Sequence, residues 1–169
     1  NGVERVTLEL ESFINQENYS FSKNENLNNK KGIQKCSFKE SLDFLNARNS
    51  KEVRKISTDP SYIITWPEHL KWWLNCDVDK YAFIGNSDIP EVYFWIKKWD
   101  IDSRKYLTAG WFPVNEKTPF TSILKILNWQ IKYYSERCRG YTWVATVKND
   151  NKAAIAINRR IGFADASPE

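Results

Sequence analysis

A chain of 169 residues that is 41% hydrophobic and 15% aromatic can enclose one substantial core and has little room for two. Its 25 Lys and Arg against 21 Asp and Glu leave a net charge of +4, spread along the chain rather than gathered in a stripe, which argues against nucleic-acid binding despite eight Trp and eight Tyr. No apolar run approaches the ~18 residues of a membrane span, no basic-then-apolar signal opens the sequence, and Cys36, Cys76 and Cys138 form neither a C-x-x-C pair nor an even set. The expectation is a reduced, cytoplasmic protein without a metal, and with no Met anywhere it reads as part of something longer.

Val3 to Ile14 mixes helical and alternating apolar spacings, and residues 1–14 read as the end of a preceding domain, in helical form. Asn15 to Lys31 is rich in Asn, Lys, Ser and Glu and poor in aliphatics, the composition of a linker. The folded pattern then runs from residue 32 to 169. Ile33 to Phe38 suits a strand, and Ser37 with Glu40 forms a capping box opening a helix through Leu42 and Leu45. A second helix start lies at Ser50. Thr65 with Glu68 repeats the capping box, with Pro67 in the first turn, ahead of Leu70, Trp73 and Leu74.

Lys80 to Gly85 and Glu91 to Trp99 are β-branched and aromatic runs separated by a polar, Pro-ended turn, an antiparallel hairpin. Tyr106 to Val114 supplies another strand. Thr121 to Cys138 places Ile123, Leu127, Ile131 and Tyr134 on one helical face. Tyr141 to Val147 alternates as a strand, Asn149, Asp150 and Asn151 cap a helix from Lys152 to Ile161, and Gly162 closes it where a left-handed residue is wanted. The order predicts an α/β domain with a mixed, largely antiparallel sheet and helices on both faces.

Asn151, Ala154, Ile155, Ile157, Gly162 and Phe163 resemble the closing motif of GNAT acyltransferases, N-x-x-A-φ-x-φ-Y-x-x-x-G-F, with Asn158 where that motif has Tyr. Arg48 and Asn49, followed by Glu68, His69 and Leu70, resemble the R-N and E-H-L signatures of the GNAT enzymes that acetylate nucleotide-linked amino sugars in pseudaminic-acid-type synthesis. Asn1 to Val6 resembles the tail of the nucleotide-sugar hydrolase that precedes some of these domains, which implies a fused or associated sugar-processing partner.

The resemblance implies acetyl-CoA as co-substrate, in a gap between the strand ending at Pro113 and the strand Tyr141 to Val147. Trp111 and Phe112 would lie on the cofactor strand and Asn151 beside the cofactor. The phosphate loop of that family carries glycines; here residues 115–122 contain none. Lys117 would supply charge while the hydroxyls of Thr118, Thr121 and Ser122 replace amide donors that Pro119 cannot give; Thr118 also reads as a helix cap with Pro119 at the first helical position, which does not exclude phosphate binding. His69, the single histidine, is the candidate base, with a capped-helix position as the bland alternative. Arg48 and Asn49 are candidates for a substrate phosphate or hydroxyl. Asn158 stands at the place of the acid that would protonate the leaving thiolate, and an amide cannot supply that proton. An acyltransferase and a GNAT-like binding module without catalysis therefore both remain open.

Overall fold

The computed structural model describes residues 5–10, 31–57, 59–85 and 88–166. Seven strands form one sheet in the order β2-β3-β4-β5-β6-β1-β7, with β1 Arg5–Leu10, β2 Gly32–Lys35, β3 Val78–Ile84, β4 Pro90–Ile101, β5 Arg104–Pro113, β6 Thr142–Lys148 and β7 Ala164–Asp165. All pairings are antiparallel except β5 with β6. The helices are α1 Ser41–Arg48, α2 Lys51–Lys55, α3 Trp66–Trp73, α4 Phe120–Arg137 and α5 Lys152–Arg160.

Both capping boxes form: Glu40 Oε2 accepts from the Ser37 N–H at 2.6 Å, and Glu68 Oε2 accepts from the Thr65 N–H at 2.8 Å. The first opens only a 3₁₀ turn, Phe38–Glu40, before α1 begins. Glu68 also accepts the Tyr62 hydroxyl, the main reason its carboxyl is held down at about 2. Gly162 has φ of 106°, as expected of the residue that turns the chain out of α5.

Two aromatic-rich cores lie on opposite faces of the sheet. On one, α4 packs Ile123, Ile126, Leu127, Ile131 and Tyr134 over Phe94, Ile96, Leu107 and Trp143, joined by Ile157 and Phe163. On the other, Phe44 of α1 meets Tyr93 and Phe112, each with its ring centre at 5.0 Å, and Trp73 of α3 at 5.3 Å. Lys80 is buried on this second face, where its ammonium donates to the carbonyls of Trp73 and Asn75 at 2.6 and 2.9 Å and so satisfies the C-terminal end of α3.

One expectation is corrected. Residues 5–10 are neither helical nor outside this domain: they form β1, inserted between β6 and β7, with Leu8 fully buried and Leu10 at 7% exposure. Val6, Leu8 and Leu10 alternate onto the α4 face, where they sit opposite Val147, Ala145 and Trp143. The expected linker lies outside the described residues apart from Lys31.

Candidate active site

The parallel pair β5 and β6 is joined only at Tyr106↔Thr142, Leu107↔Trp143 and Thr108↔Val144. Beyond Thr108 and Val144 the strands part. Each stays bonded on its outer side, β5 to β4 as far as Val92↔Pro113 and β6 to β1 as far as Arg5↔Lys148. Among the described residues the inner edges, from Ala109 on β5 and Ala145 on β6, have no ladder partner, and they bound a fork. Each arm feeds a helix at the open end: β5 leads into α4 and β6 into α5. The fork is therefore an unpaired backbone edge beside two helix N-termini, where amides without helical partners and the helix dipole favour an anion.

The glycine-free loop between β5 and α4 is shaped by side chains. Asn115 Oδ1 accepts the Lys117 N–H at 2.9 Å, and the Asn115 carbonyl accepts the Thr118 N–H at 3.2 Å. Glu91, at the start of β4, holds the rest: its carbonyl accepts the Val114 N–H at 2.9 Å and the Thr118 hydroxyl at 3.0 Å, while its Oε2 accepts the Ser122 hydroxyl at 2.6 Å. Among the described non-glycine residues only Asp102 and Ser103 have positive φ, so no turn of this loop calls for glycine.

These contacts bear on the expected phosphate set. Glu91 belongs to β4, on the side of β5 away from β6, so the hydroxyls of Thr118 and Ser122 are spent on anchoring the loop, and Ser122 is 4% exposed. Thr118 is not the cap either: Pro119 takes that position with extended backbone and Phe120 begins the helix. Thr121 and Lys117 remain exposed at the open end, beside the first-turn amides of α4.

Trp111 lies in the unpaired stretch of β5 and packs partly buried against the α4 core. Phe112, its neighbour, points to the other face and is 3% exposed against Phe44, so only its backbone is offered to the fork. Asn151 caps α5 through Oδ1, which accepts the Ala154 N–H at 3.1 Å. Asn158, two turns along, donates its side-chain amide to the Ala154 carbonyl at 2.9 Å and presents no ionisable group.

His69 is enclosed rather than open to a substrate. The ring is 3% exposed, enclosed by Phe44, Trp66, Trp72 and Trp73 at 5.3 to 6.0 Å, and burial pushes its pKa down. Its Nε2 lies 2.9 Å from the Ser41 carbonyl, which can only accept, so Nε2 carries the proton and ties α3 to α1. Asn49 is likewise engaged: its amide donates to the Ile64 carbonyl at 2.8 Å and accepts the Ile64 N–H at 3.0 Å, fixing the approach to α3. Arg48 differs. It is half-buried at the end of α1, burial lowers its pKa, and no hydrogen bond or ion pair engages it among the described residues.

Tyr133, Tyr134 and Tyr141 are engaged elsewhere or lie away from the open end of the fork. Tyr134 donates to Asp79 Oδ2 at 2.6 Å and lies 2.9 Å from the Tyr81 hydroxyl, over β3, and burial drives its pKa far up. Tyr133 stacks on Trp129 at 4.6 Å. Tyr141 precedes the paired start of β6, the end away from the opening. A feature that sequence patterning did not single out is Gly110, within the fork arm, whose missing side chain makes room for the Trp95 ring; a Cβ there would stand 2.6 Å from it. The signal was one glycine inside a strand pattern.

No protein-family model and no curated protein matches the chain. Solved structures do. A GNAT-family acetyltransferase from Colwellia psychrerythraea matches with a TM-score of 0.63 at 10% identity over 98% of this chain, which spans only 53% of that protein. A GNAT-family acetyltransferase from Bacillus anthracis matches with a TM-score of 0.60 at 16% identity over 77% of each chain. An aminoglycoside 6′-N-acetyltransferase from Acinetobacter haemolyticus matches with a TM-score of 0.57 at 14% identity, covering 81% of this chain and 93% of that one. At such identities the likeness is one of architecture, and the forked seven-stranded chain has the fold of the GNAT acetyltransferases.

Proposed function

We propose that the chain is an acyl-CoA-dependent N-acyltransferase that acetylates a small amine, with acetyl-CoA as acyl donor and a nucleotide-linked amino sugar of surface-glycan synthesis as acceptor. The observation that carries this reading is the fork, an unpaired strand edge ending at two helix N-termini. The pantetheine arm would lie along the free edge of β5 as an added strand, and the pyrophosphate would meet the first-turn amides of α4 with Thr121 and Lys117. Arg48 supports an anionic group on the acceptor, because a half-buried guanidinium with no partner among the described residues is complemented by phosphate. The aminoglycoside acetyltransferases among the structural neighbours support a sugar amine. A fused or associated sugar-processing domain and a cytoplasmic setting belong to the same reading.

In the reaction the amine nitrogen bonds to the thioester carbonyl carbon, the carbon–sulfur bond breaks, and the amine loses a proton as CoA leaves as thiolate or thiol. The chain's part is to hold the two substrates in register, worth far more than any single proton transfer. A thiol with an ordinary pKa of about 8.5 can depart and take its proton from water. Asn158 can at most donate a hydrogen bond toward the sulfur.

The absence of an acid at Asn158 favours a second reading, a GNAT-like binding or scaffolding module without catalysis. Calorimetric titration with acetyl-CoA, followed by transfer assays on amino-sugar nucleotides and aminoglycosides, separates the two. Asn158→Tyr should raise transfer by about 10²-fold, the lower range of general acid catalysis. If both forms bind acetyl-CoA and neither transfers acetyl to any of these amines, the enzyme reading falls and the module stands.

A further inference from the structure

Among the described residues, Gln130 Oε1 is the buried side-chain oxygen with no hydrogen-bond partner. The residue is 4% exposed on the face of α4 that carries Ile123, Ile126, Leu127 and Tyr134 into the core. A carbonyl oxygen stripped of water and left unpaired carries a desolvation penalty with no return within the fold, so its surroundings point to what answers it.

Two contacts fix how far along the sheet Gln130 sits. Near one end of α4, the Trp143 indole donates to Ser135 Oγ at 3.4 Å, which places Ser135 at the paired row Leu107↔Trp143. Near the other, Ser122 reaches Glu91, beside the tip of β5. From Ser135 toward Ser122, Gln130 is five residues on, ~7.5 Å along a helix. From Leu107 toward the tip, Ala109 is two residues on, ~6.6 Å along a strand. Gln130 therefore stands at the level where the pairing of β5 and β6 stops.

On the face beneath α4 at that level the two fork arms carry methyl groups, flanked by Ile96 on β4 and Leu8 on β1. Ala109 shares the face of Leu107, and Ala145 shares the face of Trp143, since alternate residues point the same way. Both pack partly buried against the core. The apex of the fork is thus small-walled, apolar, and supplied with one unanswered acceptor.

We propose that Gln130 accepts a hydrogen bond from an amide N–H of the pantetheine arm and so positions the acyl thioester at the apex of the fork; this rests on the acyl-CoA reading above. The chemistry selects the arm: a thioester offers no donor, whereas pantetheine carries two amide N–H groups, and in an apolar cleft an amide donor and an orphaned carbonyl oxygen complement each other.

Gln130→Met keeps the volume and removes the polar atoms. Calorimetry and thermal melting of the whole chain supply the test, with acetyl-CoA and with 3′-phospho-ADP, the nucleotide portion that lacks the arm. The expected result is a melting temperature without ligand no lower than that of the unmodified chain, acetyl-CoA bound about 3- to 10-fold more weakly, and 3′-phospho-ADP bound as before. Unchanged affinity for acetyl-CoA overturns the proposal. So does an equal loss for both ligands with a lowered melting temperature, which would make Gln130 a packing residue. If the unmodified chain binds neither ligand, the acyl-CoA reading itself fails and this inference with it, a result distinguishable because it appears before any substitution.

Discussion

Ser122 and Thr121 are adjacent in the first turn of α4, yet the structure gives them opposite duties, and substituting each in turn separates fold from ligand. Ser122 donates to the Glu91 carboxylate at 2.6 Å from a buried position. Ser122→Ala removes a hydrogen bond to a charged group, a loss of about 1.5–3 kcal/mol. At ~2–4 °C per kcal/mol for a chain of this size, the melting temperature should fall by about 3–12 °C. Ser122→Asp should be worse, since two carboxylates ~4 Å apart at an effective dielectric near 20 repel by about 4 kcal/mol. Thr121→Glu instead places an exposed carboxylate in the first turn of a helix, which the dipole tolerates or favours by ~0.3–1 kcal/mol. That variant should keep its melting temperature and lose acetyl-CoA affinity, most visibly at low salt. Scanning fluorimetry paired with calorimetry reads both quantities. If Ser122→Ala melts like the unmodified chain but binds acetyl-CoA more weakly, the Glu91 anchor is wrong and the hydroxyl belongs to the phosphate site.

Two further outcomes follow from the packing. Gly110→Ala should cost about 1–3 kcal/mol in urea unfolding, because its Cβ would stand 2.6 Å from a rigid Trp95 ring that must shift; an unchanged midpoint would mean that the ring is free to move. For His69, burial holds the folded pKa below the ordinary 6.5, so the unfolded chain binds a proton first and stability should drop as pH falls from 6.5 to the depressed folded value, then level off. His69→Phe should remove that slope, and equal slopes in both proteins would count against the assignment.

What the sequence revealed, and what it hid, divides by the range of the interaction. The capping boxes at Ser37 and Thr65, the Asn151 cap and the Gly162 turn depend on partners within a few residues, and all are present in the structure. Strands β3 to β6 were visible because their aromatic runs are long. The roles of Thr118 and Ser122 were hidden because Glu91, their shared partner, lies 27 and 31 residues away. The same holds for His69 with Ser41 and for Asn49 with Ile64. Residues 5–10 show the limit most clearly: Val6, Leu8 and Leu10 alternate as a strand should, but their partner strand comes almost at the other end of the chain, and no local pattern announces it.

That distant partnership sets an order of events in folding. Leu8 opposite Ala145 closes a loop over most of the 169 residues. Growing a loop from ~10 to ~140 residues adds about 2.3 kcal/mol of closure entropy, whereas the β4–β5 hairpin closes through a two-residue turn at Asp102 and Ser103. The hairpin and its neighbours can assemble as the chain emerges from the ribosome, while β1 must wait for β6. Until it docks, β6 is an open edge beside an uncovered apolar face, which is the condition under which a nascent chain most needs a chaperone and most readily pairs with the wrong strand.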